Sequence, residues 1–241
     1  MVNHKISVMD SEHNVLTPEE YNQKHGSLTE LLGIVVQTDI LGLVLSPVQW
    51  NGINWSNKDD NDEIVLTEEQ CESVALQTIS GLEHTREIVQ KQEGDNGESA
   101  AQICWNYKNG GLQWYLPSLL ELSTIYVFKD EINNVIQQID KDIVLLPNND
   151  YMWSSSEGIQ WNAWNVNFGD GHIYYRSIKC NGGTVRAVAA FSSLSSIGER
   201  VDILANKEDC KSNVVGMTDE QLVQILRERG FTGAINKLIN L

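Results

Sequence analysis

The chain has 241 residues, 41% hydrophobic and 21% charged, with a net charge of −16 at neutral pH. That composition belongs to a folded protein with one large domain and extensions, or two small domains. The negative charge argues against nucleic-acid partners and against adhesion to anionic membrane surfaces, because both need a cationic footprint.

The N-terminal MVNHKISVMDSEHN carries no secretory or lipid-attachment pattern, so synthesis in a reducing bacterial cytoplasm is expected. Within it Ile6 and Val8 alternate with polar residues, and in TPEEY Thr17, Pro18 and Glu20 form a capped helix start. Residues 1–30 are read as a docking or oligomerisation extension. The longest apolar stretch, Leu31 to Val48, is broken by Gln37, Thr38 and Asp39. It predicts a β-hairpin and not a membrane span, so no membrane insertion is expected. A polar loop with Asp59, Asp60, Asp62 and Glu63 follows, without the glycine and distal glutamate of a calcium-binding loop. LEHTREIVQKQ and ESAAQICWNY read as helices around the glycine-containing EGDNG, with Cys104 among small apolar residues that suit a core. Ser118 and Glu121 form a second capping box, opening a helix whose apolar face is Leu119, Leu122, Ile125 and Tyr126. DEINNVIQQI predicts another short helix. From Tyr151 to Phe191 the pattern turns to β, with strands at YMWSS, AWNVNF, HIYYRSI and TVRAVAAF. FSSLSSIGER reads as a linker, and Thr218 and Gln221 cap a last helix that Gly230 stops, so residues 193–241 form a linker and helical appendage. Strands, helices and strands again give an α+β fold.

Chemistry is sparse along the chain. The histidines at 4, 13, 25, 84 and 172 stand in no nucleophile or metal motif, and exposed positions are expected for them. The four cysteines, at 71, 104, 180 and 210, have no metal or redox spacing. GDG at 169–171 lacks the features of a phosphate loop and reads as a hairpin turn. No catalytic residue, metal or cofactor is therefore assigned, and the protein is expected not to be an enzyme.

The segment from Gly158 to Gly183 is different. It holds Trp161, Trp164, Phe168, Tyr174 and Tyr175 among asparagines and glycines, and lacks Leu, Met, Pro and Glu. Rigid aromatics with short polar side chains are the chemistry of binding surfaces. In AWNVNF, strand alternation sends Trp164, Val166 and Phe168 to one face and Asn165 and Asn167 to the other.

GGLQWYLPSLLELSTIY, YMWSSSE, AWNVNF and TVRAVAAF together resemble the C-type-lectin-like domains that share a fold with formylglycine-generating enzymes. They are most similar to the variable proteins of diversity-generating retroelements, including phage receptor-binding proteins. The resemblance covers about Leu31 to Phe191, a ligand-binding domain of residues 31–192 with a variable region at about 158–182. It implies that substitution at adenine-rich codons diversifies the contact positions. Those are Gly158, Ile159, Trp161, Asn162, Asn165 and Asn167, and then Asp170, His172, Tyr174, Tyr175, Ser177, Ile178 and Asn181. Trp153, Trp164, Val166, Phe168, Val185 and Val188 are the implied scaffold. The calcium-dependent lectin triplets and the paired oxidase cysteines are missing, so neither calcium-mediated sugar binding nor oxidase activity is implied. The expected role is recognition of a cell-surface protein or glycan, with a phage virion tail as its place and a bacterial cytoplasmic or cell-surface setting as the alternative. The alternative roles are an enzyme or enzyme accessory on the same scaffold, or a structural virion protein with a fixed partner. A homo-oligomer and a virion tail partner engaged through the termini are further expectations, because short capped helices rarely fold alone and several copies raise avidity.

Overall fold

Alternation in the first strand and a continuous apolar run in the third produce a sheet that buries one strand from both sides. The computed structural model describes residues 4–25, 30–38, 41–57, 75, 81–92, 98–139, 143, 145–158 and 161–191. The acidic loop at 59–63 and the expected appendage at 193–241 lie outside them. The elements in order are β1 (His4–Asp10), β2 (Val15–Leu16), α1 (Pro18–Lys24), β3 (Leu31–Thr38), β4 (Gly42–Leu45) and β5 (Trp50–Ile53). Four helices follow: α2 (Gly81–Lys91), α3 (Ala100–Asn106), α4 (Leu119–Val127) and α5 (Lys129–Ile139). The chain then returns to strands, β6 (Tyr151–Glu157), β7 (Asn162–Asn167), β8 (Ile173–Ile178), β9 (Gly183–Val185) and β10 (Val188–Ala190). The fold is α+β, as the order of elements predicted.

The strands form two five-stranded sheets, ordered β10-β4-β3-β1-β2 and β5-β9-β6-β7-β8. The expected hairpin is β3–β4, antiparallel with Val35 opposite Val44. TVRAVAAF, expected as one strand, divides. β9 runs parallel to β6 in the second sheet, while β10 pairs with β4 in the first. Arg186 and Ala187, both buried, carry the chain from one sheet to the other. The backbone cannot serve both ladders in one register, so the apolar run bends between them.

Helices cover both faces. Leu119, Leu122 and Ile125 of α4 and Ile132 and Ile136 of α5 pack with Val36, Leu43, Trp164, Val166 and Phe168 in one core. Ile88 of α2 and Ala100, Ala101 and Cys104 of α3 pack with Val35, Val44, Trp153 and Ala163 in the other. β3 thus supplies both cores, which is why its sequence is nearly unbroken in apolar residues.

Local chemistry fixes the helix starts. Capping boxes hold α1 (Thr17, Glu20), α3 (Ser99, Gln102) and α4 (Ser118, Glu121). Glu121 is fully enclosed; burial pushes its carboxyl up, against hydrogen bonds from the Ser118 amide at 2.7 Å and the Tyr115 hydroxyl at 2.8 Å. A Cβ at Gly81 would lie 2.2 Å from the Glu121 carboxylate, so only glycine starts α2 there.

The N-terminal unit is tied by Asp10. Its buried carboxylate accepts from Lys24 Nζ at 2.8 Å, His25 Nε2 at 2.9 Å and the Asn14 amide at 2.9 Å. Burial pushes this carboxyl up, but the bonds from Lys24, Asn14 and His25 outweigh it and hold it well below the usual carboxylate range. Its contribution to stability is complete above the unfolded-chain value near 4 and is lost as pH falls below it. Asp10→Ala is expected to cost about 1–3 kcal/mol at neutral pH, by leaving those donors without their acceptor. It should also flatten the acid limb of the stability curve. Urea denaturation of both proteins across the acid range measures each effect.

Candidate recognition face

The segment singled out by composition is bracketed by an ion pair. Glu157, the last residue of β6, accepts a hydrogen bond from Lys179 Nζ, just past β8, and the two side chains are 2% and 9% exposed. The Lys179 ammonium lies 4.9 Å from the centre of the Trp55 ring. Its carbonyl accepts from the Trp55 and Ser56 amides at 2.8 and 3.2 Å. Trp55 Nε1 donates in turn to the Ser154 carbonyl at 2.7 Å. Both ends of the 158–178 excursion are therefore held on the loop that follows β5.

Within the excursion, β7 and β8 form an antiparallel ladder with a shift of register between Ala163 and Asn165. The turn joining them is built from its own polar residues. Asn167 Oδ1 accepts from the Gly169 amide at 2.7 Å, Asp170 Oδ1 accepts from the His172 amide at 2.9 Å, and Gly171 has φ +75°. GDG is thus a hairpin turn, as read, and Asp170 and Asn167 shape it.

Large apolar groups emerge at both ends of this ladder. At the turn end Tyr174 is 36% exposed and Tyr151 42% exposed, with ring centres 5.3 Å apart at 76°. The exposed His172 ring lies 5.5 Å from Tyr174. Partial burial, the Tyr151 phenol and the Asp170 carboxylate all push the Tyr174 hydroxyl up, so it stays neutral at physiological pH. At the other end Trp161 is 51% and Ile178 48% exposed. Lys179 donates to the Trp161 carbonyl at 3.0 Å, and Asn162 pairs with Ile178, which keeps Trp161 and Ile178 close along the chain ends. Large exposed apolar groups gathered on one hairpin and its neighbour are unusual for a solvated surface and suit a contact surface.

Of the expected contact positions, Trp161, Asp170, His172, Tyr174, Ile178 and Asn181 are exposed, and Asn162, Asn167 and Ser177 are half-buried. Gly158 and Asn165 are buried, which corrects their placement on the surface. Asn165 stands between its cross-strand neighbours Trp153 and Tyr174, and its side chain is enclosed there at 3% exposure. Tyr175 lies in β8 with its side chain outside the described atoms, and Ile159 lies outside the described residues. The implied scaffold residues Trp153, Trp164, Val166, Phe168, Val185 and Val188 are all buried. Sequence reasoning passed over Tyr151, although its spacing of two from Trp153 in YMW places the two on the same face. It also passed over the Glu157–Lys179 bracket, for which no local signal exists.

His84 departs from the expectation of exposed histidines. It is 5% exposed, and burial pushes its imidazole down to about 4. Its Nδ1 lies 3.5 Å from Ser155 Oγ, itself 1% exposed, so a substrate reaches this pair only by opening the core. Among the described residues, no group of three or more His, Cys, Asp or Glu side chains could hold a metal ion, and no helix is long and apolar enough to cross a membrane.

Residues 49–189 match the family model of the Lcl C-terminal domain. The fold is also similar to a fimbrial protein from Bacteroides ovatus ATCC 8483, with a TM-score of 0.58 at 14% sequence identity. The likeness covers 78% of this chain and 49% of that one, so the chain spans about half the length of its structural relative. At that identity the similarity is one of fold. No curated protein matches the sequence.

Trp161→Ala and Tyr174→Ala are expected to change stability by no more than about 0.5 kcal/mol, whereas Trp164→Ala should cost about 3–5 kcal/mol. Lys179→Met leaves the Glu157 carboxylate buried without its ammonium and should cost about 3–5 kcal/mol, part of which Lys179→Met combined with Glu157→Met recovers. Equilibrium denaturation of the five variants checks the assignment of rim, core and bracket.

Proposed function

The chain belongs to the Lcl C-terminal domain family, and we propose that it is a non-enzymatic, adhesin-like recognition protein displayed at a cell or particle surface. The observation that carries the reading is the aromatic rim of Tyr151, Trp161, His172, Tyr174 and Ile178 around the β7–β8 ladder. Aromatic side chains of this kind supply large contact area at low entropic cost. The same hairpin is locked at its base by a buried ion pair, so its shape is set before binding and little ordering cost remains. The fimbrial character of a protein with a similar fold agrees with a surface role. The ligand is a cell-surface protein or glycan.

A finer reading makes the segment from 158 to 182 a retroelement-diversified face on a phage tail receptor-binding protein. Its support is composition: asparagine, tyrosine, glycine, serine, aspartate, histidine and isoleucine crowd there, and six of the eleven expected contact positions whose exposure is described are exposed. Sequencing the gene and its flanks across a natural population decides it. Changes concentrated in codons 158–182, matched to adenines in a nearby template repeat, support the finer reading. Uniform variation along the gene leaves a fixed recognition face.

Binding of the fluorescently labelled protein to panels of intact cells tests the broader reading. Trp161→Ala and Tyr174→Ala should each weaken binding by about 30-fold, as expected for central aromatic anchors, with no loss of stability. Undiminished binding by both variants would overturn the assignment of the face.

A further inference from the structure

Asn165 is the odd residue of the hairpin. It is 3% exposed, its Nδ2 donates to Ser177 Oγ at 2.6 Å, and its Oδ1 is buried without a hydrogen-bond partner. A buried carbonyl in that state lowers stability, and its β7 neighbours Ala163, Trp164 and Val166 show that apolar side chains suit this strand. Such orphaned groups in a folded protein call for an explanation.

Position supplies one. Tyr174 is the cross-strand partner of Asn165, and directly paired side chains on one face of a sheet adjoin each other. The exposed Tyr174 ring rests edge-on against Tyr151 and beside His172, and a ligand reaches the Asn165–Ser177 pair only if that ring turns aside to admit it. Because the Ser177 oxygen already accepts from Asn165, its own proton is left to donate. An acceptor and a donor then stand side by side beneath an aromatic rim. Exchanging the oxygen and nitrogen of the Asn165 amide reverses the order of the two groups but keeps one of each.

We infer that Asn165 and Ser177 are the polar floor of the recognition face and take a primary carboxamide, the Asn or Gln side chain of a protein ligand. The inference rests on the recognition reading above. A carboxamide presents a donor and an acceptor on adjacent atoms and matches the floor in two hydrogen bonds. An ammonium satisfies Asn165 and offers Ser177 nothing. A carboxylate offers no donor to Asn165 and meets a chain of net charge −16. Tyr151, Tyr174 and the surrounding rim exclude water from the pair and so strengthen it.

The test is a titration of the ¹⁵N-labelled full chain with acetamide, acetate and methanol, followed at the side-chain amide signals of Asn165. Acetamide should give a saturable millimolar shift that Ser177→Ala abolishes, with acetate at least about tenfold weaker. Asn165→Ala should lose the acetamide response elsewhere in the hairpin while its melting temperature is unchanged or raised. A fall in that temperature assigns Asn165 a structural role and overturns the floor. A methanol response equal to that of acetamide overturns the carboxamide assignment in favour of a hydroxyl ligand. The two readings also separate. If Trp161→Ala and Tyr174→Ala abolish cell binding while acetamide has no effect, the face stands and the floor falls. If acetamide acts at Asn165 while cell binding ignores the rim, the floor is a small-molecule site and the face reading falls.

Discussion

The Glu157–Lys179 ion pair sets the terms for the surface above it. Taking both charges out of water is costly, and one alone would be far more so, so the pair holds only while the two strand ends stay together. Trp55 reinforces the closure three times, through its ring, its amide and its indole nitrogen. The exposed positions between residues 157 and 179 can then be chosen for contact instead of cohesion, while Trp164, Val166 and Phe168 stay with the core. A chain segment rich in glycine and asparagine would otherwise pay heavily in conformational entropy for a defined shape.

The polar residues inside the frame follow the same logic. Ser154, Ser155, Ser156 and Glu157 are all buried in β6, where a strand of Val and Ile would be usual. Ser154 Oγ donates to the Trp164 carbonyl at 2.8 Å, Ser156 Oγ accepts from the Leu119 amide at 3.1 Å, and the Ser155 amide donates to the Pro117 carbonyl at 2.8 Å. These bonds join the central strand of the second sheet to the start of α4 and to β7. Directional bonds of this kind select one register where apolar packing would tolerate several.

Much of this frame is legible in the sequence, because its signals are local. Thr17, Ser118 and their glutamate partners announce helix starts, Asp170–Gly171 announces a turn, and alternation assigns Trp164, Val166 and Phe168 to a core. What the sequence hides is set by residues far apart in the chain. Asn165 alternates as an outward residue should, yet its cross-strand neighbours Trp153 and Tyr174 and its bond to Ser177 enclose it. His84 looks like a polar residue on a surface helix until Ser155, 71 positions later, closes over it. TVRAVAAF reads as one strand because periodicity cannot reveal that two sheets compete for it.

That division of the last strands has a consequence for synthesis. β4 lies between β3 and β10, and β10 is the last of the described strands in chain order. Until residues 188–190 emerge, the edge of β4 with Leu43, Val44 and Leu45 has no partner strand, and the helices between have only part of their sheet to pack on. The second sheet is equally incomplete, because β9 separates β5 from β6. A strand pair so distant in sequence makes folding slow and cooperative, with neither sheet closing before the other. Each sheet of this design therefore keeps an unpaired edge until the chain has been made as far as its last described strand.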